Sequence, residues 1–438
     1  MKQRSNRRRF LATVGAGTAL LAGCADLGGE DEEGEETDDV AANGAEADDG
    51  DDEEGDDDGE ETPEEEEEED EDVTPPAIGH GELLDDFEDE GNWATLAGDF
   101  GGDEDEALTG SQSLRIESED GRAGVLQAIG GLDMEGQDLS FAIKVDSPRP
   151  TNVVIQVLAP FESDMLTCRR RILSMYEGWQ RVDVGYTSVR GEPDLSDVEE
   201  IRIFVEGEED EETRFWIDDL RLTEAADQGY VMLTFDDIVE NQYDVAFPMF
   251  EEREMRGVLA TIPPSINQEG RLSTDQLREM RDAGWDVSAH TERSDTLTEM
   301  DPEEAQAELE ADHEYLEGRG FEDGARAHFV PYHDVNQEVV DITRDIYDFN
   351  SYFGGCNNAM PPTDPHTVSR NAMHDLDGFT QLVDMAAEYN QLAIGLAHGV
   401  GEGDLDDITE EELDSLLDYI EDTDVEVVTV SDILDEEY

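Results

Sequence analysis

From Tyr230 onward the chain alternates short apolar runs with amphipathic stretches, and this alternation limits its fold more than any other feature. Strands are expected near residues 230–235, 257–261, 285–289, 327–330, 349–353, 392–397 and 425–430. Residues 273–281 carry helical spacing. Asp301-Pro-Glu-Glu304 opens a second helix through Tyr315, with Asp as cap, Pro at the first helical position and Glu at the third. A third starts at Ile408 and runs to about Ile420. Repeated strand-then-helix units demand parallel pairing, so the expectation is a parallel sheet or barrel. Sites in such folds gather at the carboxyl ends of the strands.

The region upstream has a different texture. Runs such as Ser113-Leu-Arg-Ile116, Leu139–Val145, Asn152–Val157, Trp179–Val184, Ile201–Val205 and Phe215–Leu222 mostly alternate apolar and polar residues and are separated by Gly, Asp and Pro. That pattern predicts an antiparallel β-sandwich over residues 79–225. Residues 25–78 are built of Asp, Glu, Gly and Ala with almost no large apolar side chain, so they cannot bury enough surface to fold and are expected to form a disordered acidic linker.

Charge excludes some functions. The net charge is −92, and only two bases are lysines, Lys2 and Lys144. Thirty of the 119 acids lie in residues 25–78, and the other 89 lie in residues 79–438 with 22 of the 27 bases. The acidic excess therefore coats the folded part as well as the linker. Self-repulsion of this size is relieved when salt screens it, which reads as adaptation to concentrated salt of the halophilic-archaeal kind. Binding to nucleic acid is not expected.

The N-terminus resembles an export signal. Asn6-Arg-Arg-Arg-Phe-Leu-Ala12 is similar to a twin-arginine motif, an apolar stretch runs to about Ala22, and Leu21-Ala-Gly-Cys24 resembles a lipobox. The apolar stretch falls short of the roughly 20 residues a spanning helix needs. The resemblance implies removal of residues 1–24 as a signal and lipid modification of Cys24. The protein would then sit, membrane-anchored, on the extracellular face, with the acidic linker as a stalk. Cys168 and Cys356 fall in different domains; nothing in the sequence supports a disulfide between them, and two buried free thiols are the expectation.

Three apolar runs end in residues able to do chemistry. The first, Tyr230-Val-Met-Leu-Thr-Phe, ends in Asp236-Asp237. Another ends at Ala289-His290-Thr291, and a third at Leu396-Ala-His398. A barrel would gather two carboxylates and two imidazoles at one mouth. Asp plus His with open positions suits Zn²⁺ or another divalent transition metal.

Residues 230–433 resemble the polysaccharide deacetylase family, the NodB-homology carbohydrate esterases. Thr234-Phe-Asp-Asp237, His290-Thr291, Phe329-Val-Pro-Tyr332 and Leu396-Ala-His398 carry the resemblance. It implies a deformed (β/α)7 barrel over residues 226–438 that hydrolyses N- or O-acetyl groups on a glycan with a divalent metal, Zn²⁺ by preference. Asp236 would be the general base and His398 the general acid. Asp237 and His290 would be metal ligands. Pro331 and Tyr332 would line the substrate groove, and Leu396 the pocket for the acetyl methyl. Upstream, Leu84-Asp-Asp-Phe-Glu88 with Trp93, Gly110–Arg115 and Trp216-Ile-Asp-Asp-Leu220 resemble galactose-binding-like jelly-roll modules that bind carbohydrate.

Three positions depart from the deacetylase pattern. Ile238 stands where the family usually has Gly after the acid pair. Ser294 takes the place of the second metal His and so becomes the expected third ligand, with Asp295, His333, His328 or water as substitutes. Phe329 stands where an Arg usually orients the base, and Arg370 could reach in from a later strand instead. These departures support an alternative, a catalytically degenerate surface lipoprotein that only binds glycan. A solute-binding lipoprotein would need two similar α/β lobes, which the pattern does not supply.

Overall fold

The computed structural model describes residues 79–149, 151–172, 176–208, 210–294, 296–401 and 407–435. The export signal, Cys24 and the acidic linker expected from the sequence, and Asp295, lie outside the described residues.

The C-terminal half is a closed parallel barrel. Its strands are β1 (Gly229–Asp236), β2 (Val258–Thr261), β3 (Asp286–Ala289), β4 (Ala327–Phe329), β5 (Phe349–Phe353), β6 (Val368–Ala372) and β7 (Leu392–Ala397). They pair in sequence order, and β1 closes the ring by pairing with both β2 and β7. The last strand, β8 (Val425–Val427), pairs in parallel with the start of β1 at Gly229–Val231, whereas β2 pairs with its end at Thr234–Asp236.

The alternation of β1 sorts its side chains. Val231, Leu233 and Phe235 join the cluster that includes the helices, whereas Tyr230 and Met232 join a second cluster fed by nearly every barrel strand. Successive strand residues point to opposite faces, so Asp236 shares the inner face with Thr234. The helices that cover the outside include α1 (Thr274–Asp282), α2 (Pro302–Glu317), α3 (Gln337–Ile346), α4 (Leu376–Tyr389) and α5 (Glu410–Asp422). Capping residues fix their starts: Ser273 with Gln276 and Thr409 with Glu412 form reciprocal capping boxes, and Asp301 caps α2 just before Pro302. Among the described residues no helix is long and apolar enough to cross a membrane.

The upstream half consists of two antiparallel six-stranded sheets. The strands Gln137–Ser147 and Thr213–Glu224 pair in one, and Thr151–Leu158 and Val198–Glu206 pair in the other. Inward residues of both, including Phe141, Ile143, Phe215, Ile155 and Ile203, form one buried cluster. Trp93 is part of that core, stacked on Phe87 at 5.1 Å, so it offers no exposed platform.

The two halves are joined by buried polar contacts. Gln391, just before β7, donates to Asp138 Oδ1 at 3.1 Å and accepts from the Tyr186 amide at 2.9 Å. Asp183 accepts from the Ala359 amide at 3.3 Å.

Candidate active site

The site forms where β1, β3, β4, β6 and β7 end. Asp236 is the last residue of β1 and is 2 % exposed. Arg370 of β6 grips it: Nη1 donates to Oδ1 at 2.7 Å and Nη2 to Oδ2 at 2.9 Å. The same guanidinium lies over the Phe329 ring, 5.1 Å from its centroid. Arg370 thus orients Asp236 from β6, and Phe329, at the position where the resemblance implies an Arg, packs against its guanidinium. Burial opposes ionisation of Asp236, but Arg370 and then His290 outweigh it and hold the carboxyl below its usual range.

Asp237 turns away from the strand. Its φ is 74°, and Ile238 follows at 51°. Left-handed backbone costs a residue with a side chain roughly 1–2 kcal/mol, and a β-branched residue is an outlier there. Ile238 is fully buried in the helix-side core, and that burial offsets the strain while Asp237 is aimed at the mouth. Burial pushes the Asp237 carboxyl up, and the neighbouring Asp236 charge adds to this. Asp237 is half-buried with Arg271 Nη1 3.8 Å from Oδ2, and two carboxylates side by side make a place where a further cation is stabilising.

His290 follows β3 and is 3 % exposed. Its Nδ1 lies 2.7 Å from the Phe329 carbonyl oxygen, so this nitrogen carries the proton and donates. Nε2 faces the acid pair, 3.7 Å from Asp237 Oδ1 and 3.8 Å from Asp236 Oδ2. This is the usual way a backbone carbonyl sets a metal-binding imidazole. Donor atoms of Asp237, His290 and Glu292 lie within 4.8 Å of one another. One imidazole and two carboxylates fit a divalent cation.

Among the expected third ligands, Ser294 is exposed. His328 is fully buried, with Nδ1 against Asn350 Oδ1 at 2.9 Å and Nε2 accepting from the Thr291 amide at 3.4 Å. Burial pushes its pKa down to about 3, so it is a neutral structural imidazole. Burial likewise lowers His333 to about 3. The acid that completes the cluster is Glu292, which sequence reasoning missed because it sought a ligand four residues after His290 and not two.

The rim carries Tyr332, 65 % exposed at φ 55°, whose hydroxyl donates to Glu292 Oε1 at 2.5 Å. That bond pushes the phenol up to about 12. Pro331 is buried beside it and lines the same small depression as Glu292 and Tyr332. Leu396 is buried in β7, 6 % exposed, two residues before His398. His398 is half-buried just past the strand, and its buried Nδ1 has no hydrogen-bond partner among the described residues.

Gln242 is a second residue that the sequence did not single out. It is fully buried at the start of a π-turn, and its Nε2 donates to the carbonyls of both Asp236 and His398 at 2.5 Å. One amide thereby caps the ends of two adjacent strands and fixes the spacing between the residues that follow.

The polysaccharide deacetylase family model matches residues 223–347 and supports a deacetylase-type domain there. A putative polysaccharide deacetylase of Bacillus subtilis, YxkH, is 29 % identical over 79 residues, 18 % of this chain and 28 % of the relative, so the likeness spans just over a quarter of that protein. Among solved structures, the peptidoglycan deacetylase PdaC of Bacillus subtilis is 15 % identical, covering 48 % of this chain and 91 % of its own at a TM-score of 0.34. A family 4 carbohydrate esterase from Streptomyces lividans in complex with acetate is 14 % identical, covering 44 % and 86 % at 0.31. The chitin deacetylase of Colletotrichum lindemuthianum is 16 % identical, covering 49 % and 90 % at 0.33.

Proposed function

We propose that the protein is a metal-dependent hydrolase that removes N- or O-acetyl groups from a surface or extracellular polysaccharide. One observation carries this reading: a buried carboxylate gripped by an arginine, a carboxylate–imidazole–carboxylate cluster and a half-buried histidine converge at the strand ends of a parallel barrel. The family-model match over residues 223–347 agrees with it.

Asp237, His290 and Glu292 would hold a divalent cation, Zn²⁺ being the first candidate. When bound, it polarises the acetyl carbonyl and eases deprotonation of water. Asp236 takes a proton from the attacking water, and Arg370 keeps that carboxylate ionised and aimed until it does. His398 gives a proton to the departing amine or alkoxide. Tyr332, exposed beside Glu292, lines the groove with Pro331, and Leu396 contributes apolar wall for the acetyl methyl. Tyr332 held by Glu292 also couples the groove to the cation cluster.

The alternative, a degenerate glycan-binding barrel, drew on the missing Arg at position 329 and the missing His at 294. Arg370 and Glu292 supply both functions from other positions, which favours the enzyme. The upstream sheets fit a jelly-roll sandwich that would hold the glycan near the barrel. Twin-arginine export and a lipid at Cys24 would place both on the outer face of the membrane.

The test is acetate release from acetylated glycans and chitooligosaccharides in molar salt. Parent protein should release acetate, and Asp236→Asn should not while keeping its metal. No release from any acetylated glycan by the metal-loaded parent contradicts the proposal in favour of the binding module.

A further inference from the structure

Cys168 lies on the strand Met165–Ile172 of the antiparallel half, and Cys356 lies just after β5 of the barrel. Both are free thiols, fully buried in the same apolar cluster. That cluster spans the junction, and each thiol is an electrostatic neighbour of the other. The main chain is joined beside them, where the Arg171 amide donates to the Gly354 carbonyl at 2.8 Å. Arg170, 2 % exposed, extends from the same strand into the barrel. Its Nη1 is 3.9 Å from Cys356 Sγ and 3.5 Å from Asn358 Oδ1, and Nη2 donates to the Thr367 carbonyl.

We infer that Cys168 and Cys356 are a modification site: they form a disulfide joining the antiparallel half to the barrel when the chain folds in the presence of an oxidised small-molecule disulfide. Arg170 Nη1, 3.9 Å from Cys356 Sγ, supplies a positive charge that favours the Cys356 thiolate as the junction closes around it during folding. Burial opposes ionisation of Cys356, but the neighbouring Cys168 and the Arg170 charge bring it down to about 7. Burial pushes Cys168 up.

The electron count closes. The Cys356 thiolate attacks one sulfur of the small disulfide, forms a mixed disulfide and releases one small thiolate. Cys168 gives its proton to that thiolate and attacks Cys356 Sγ, which expels the second small thiol. Two cysteine thiols are oxidised and one small disulfide is reduced to two thiols. The bond would also stiffen the site, because the Cys356 carbonyl accepts from Ser369 Oγ at 2.9 Å and from Asn371 Nδ2 at 3.0 Å, the residues on either side of Arg370. The inference stands whether or not the barrel is a deacetylase.

The test uses the full chain carrying Cys24→Ser, refolded from urea into molar salt with hydroxyethyl disulfide. Intact mass, thiol titration after denaturation, and peptide mapping without reductant are then read. The expected product has no free thiol, weighs two hydrogens less than the reduced chain and yields one peptide linking Cys168 to Cys356. Its thermal midpoint is about 5 °C or more above that of the reduced protein, since the bond closes a long loop. Two persistent thiols, a reagent adduct on each cysteine, or a bond between two chains in the refolded protein would each overturn the inference. In Cys168→Ser, a stable reagent adduct at Cys356 is expected, and a Cys356 that stays unmodified there also counts against the proposed nucleophile.

Discussion

Arg370 and Asp236 meet through two parallel hydrogen bonds of 2.7 and 2.9 Å although 134 positions separate them in the sequence. Both side chains are almost wholly out of solvent, at 0 % and 3 % exposure. A fork of this kind orients a carboxylate as well as ionising it, and Lys cannot reproduce it. Arg370→Lys should therefore lower kcat for acetate release by about 10- to 100-fold, the cost of one lost charge-assisted bond at 1.5–3 kcal/mol. Arg370→Ala should also cost about 3–5 kcal/mol of stability, because it leaves a buried charge unpaired. Steady-state kinetics and urea unfolding in molar salt check the two. Unchanged kcat in Arg370→Lys would remove Arg370 from the machinery.

Glu292 is the third donor of the cation cluster. Glu292→Gln should weaken cation binding by about 10- to 100-fold, the range seen when a supporting ligand interaction is lost. Ser294→Ala should leave it unchanged. Calorimetric titration with Zn²⁺ into metal-stripped protein separates the two, and the opposite ranking would make Ser294 the ligand.

Gln242 holds the strand ends under Asp236 and His398. Gln242→Met keeps the bulk and removes the donor, leaving two carbonyls unmet. We expect a loss of about 2–4 kcal/mol in stability. We also expect a fall in kcat with KM and metal content unchanged. A variant that is less stable but turns over like the parent would make Gln242 purely structural.

The legible part of the fold was the part whose side chains have one job. Strands buried on both faces read as continuous apolar runs, so β1 and β7 were visible as such. Strand β6, Val-Ser-Arg-Asn-Ala, was not placed, because its Arg and Asn are buried by partners on other strands and not by apolarity. Helix α2 announced itself through its cap and α1 through its amphipathic spacing, whereas α4 is capped by Asp375 and carries Gly378 in its first turn, which reads as loop. At the site, Asp236, Asp237, His290 and His398 stood out because each ends or follows an apolar run. Glu292 and Gln242 did not. One is an ordinary acid in a very acidic chain, and the other acts only through main-chain carbonyls that no spacing rule marks.

Asp138 predicts a pH effect on stability at the junction of the two halves. Burial raises its folded pKa from 3.8 to about 7. A raised folded pKa means the fold prefers the protonated form, so the contribution is fully present below pH 3.8 and is lost as pH rises through 7. Asp138→Asn removes this dependence. Between pH 4 and pH 8 the stability of the variant relative to the parent should move in its favour by roughly 4 kcal/mol, three pKa units' worth. Urea unfolding of both proteins at each pH in molar salt measures it. A parent–variant difference constant with pH would show that Asp138 ionises normally in the fold.

The central claim is that Asp237 and His290, distant in sequence, share one cation. Elemental mass spectrometry on protein purified in molar salt, parent beside His290→Ala, tests it most directly. The parent should carry about one divalent transition metal per folded chain and the variant almost none. A folded parent that holds no metal after incubation with Zn²⁺, or a variant that binds as the parent does, would contradict it.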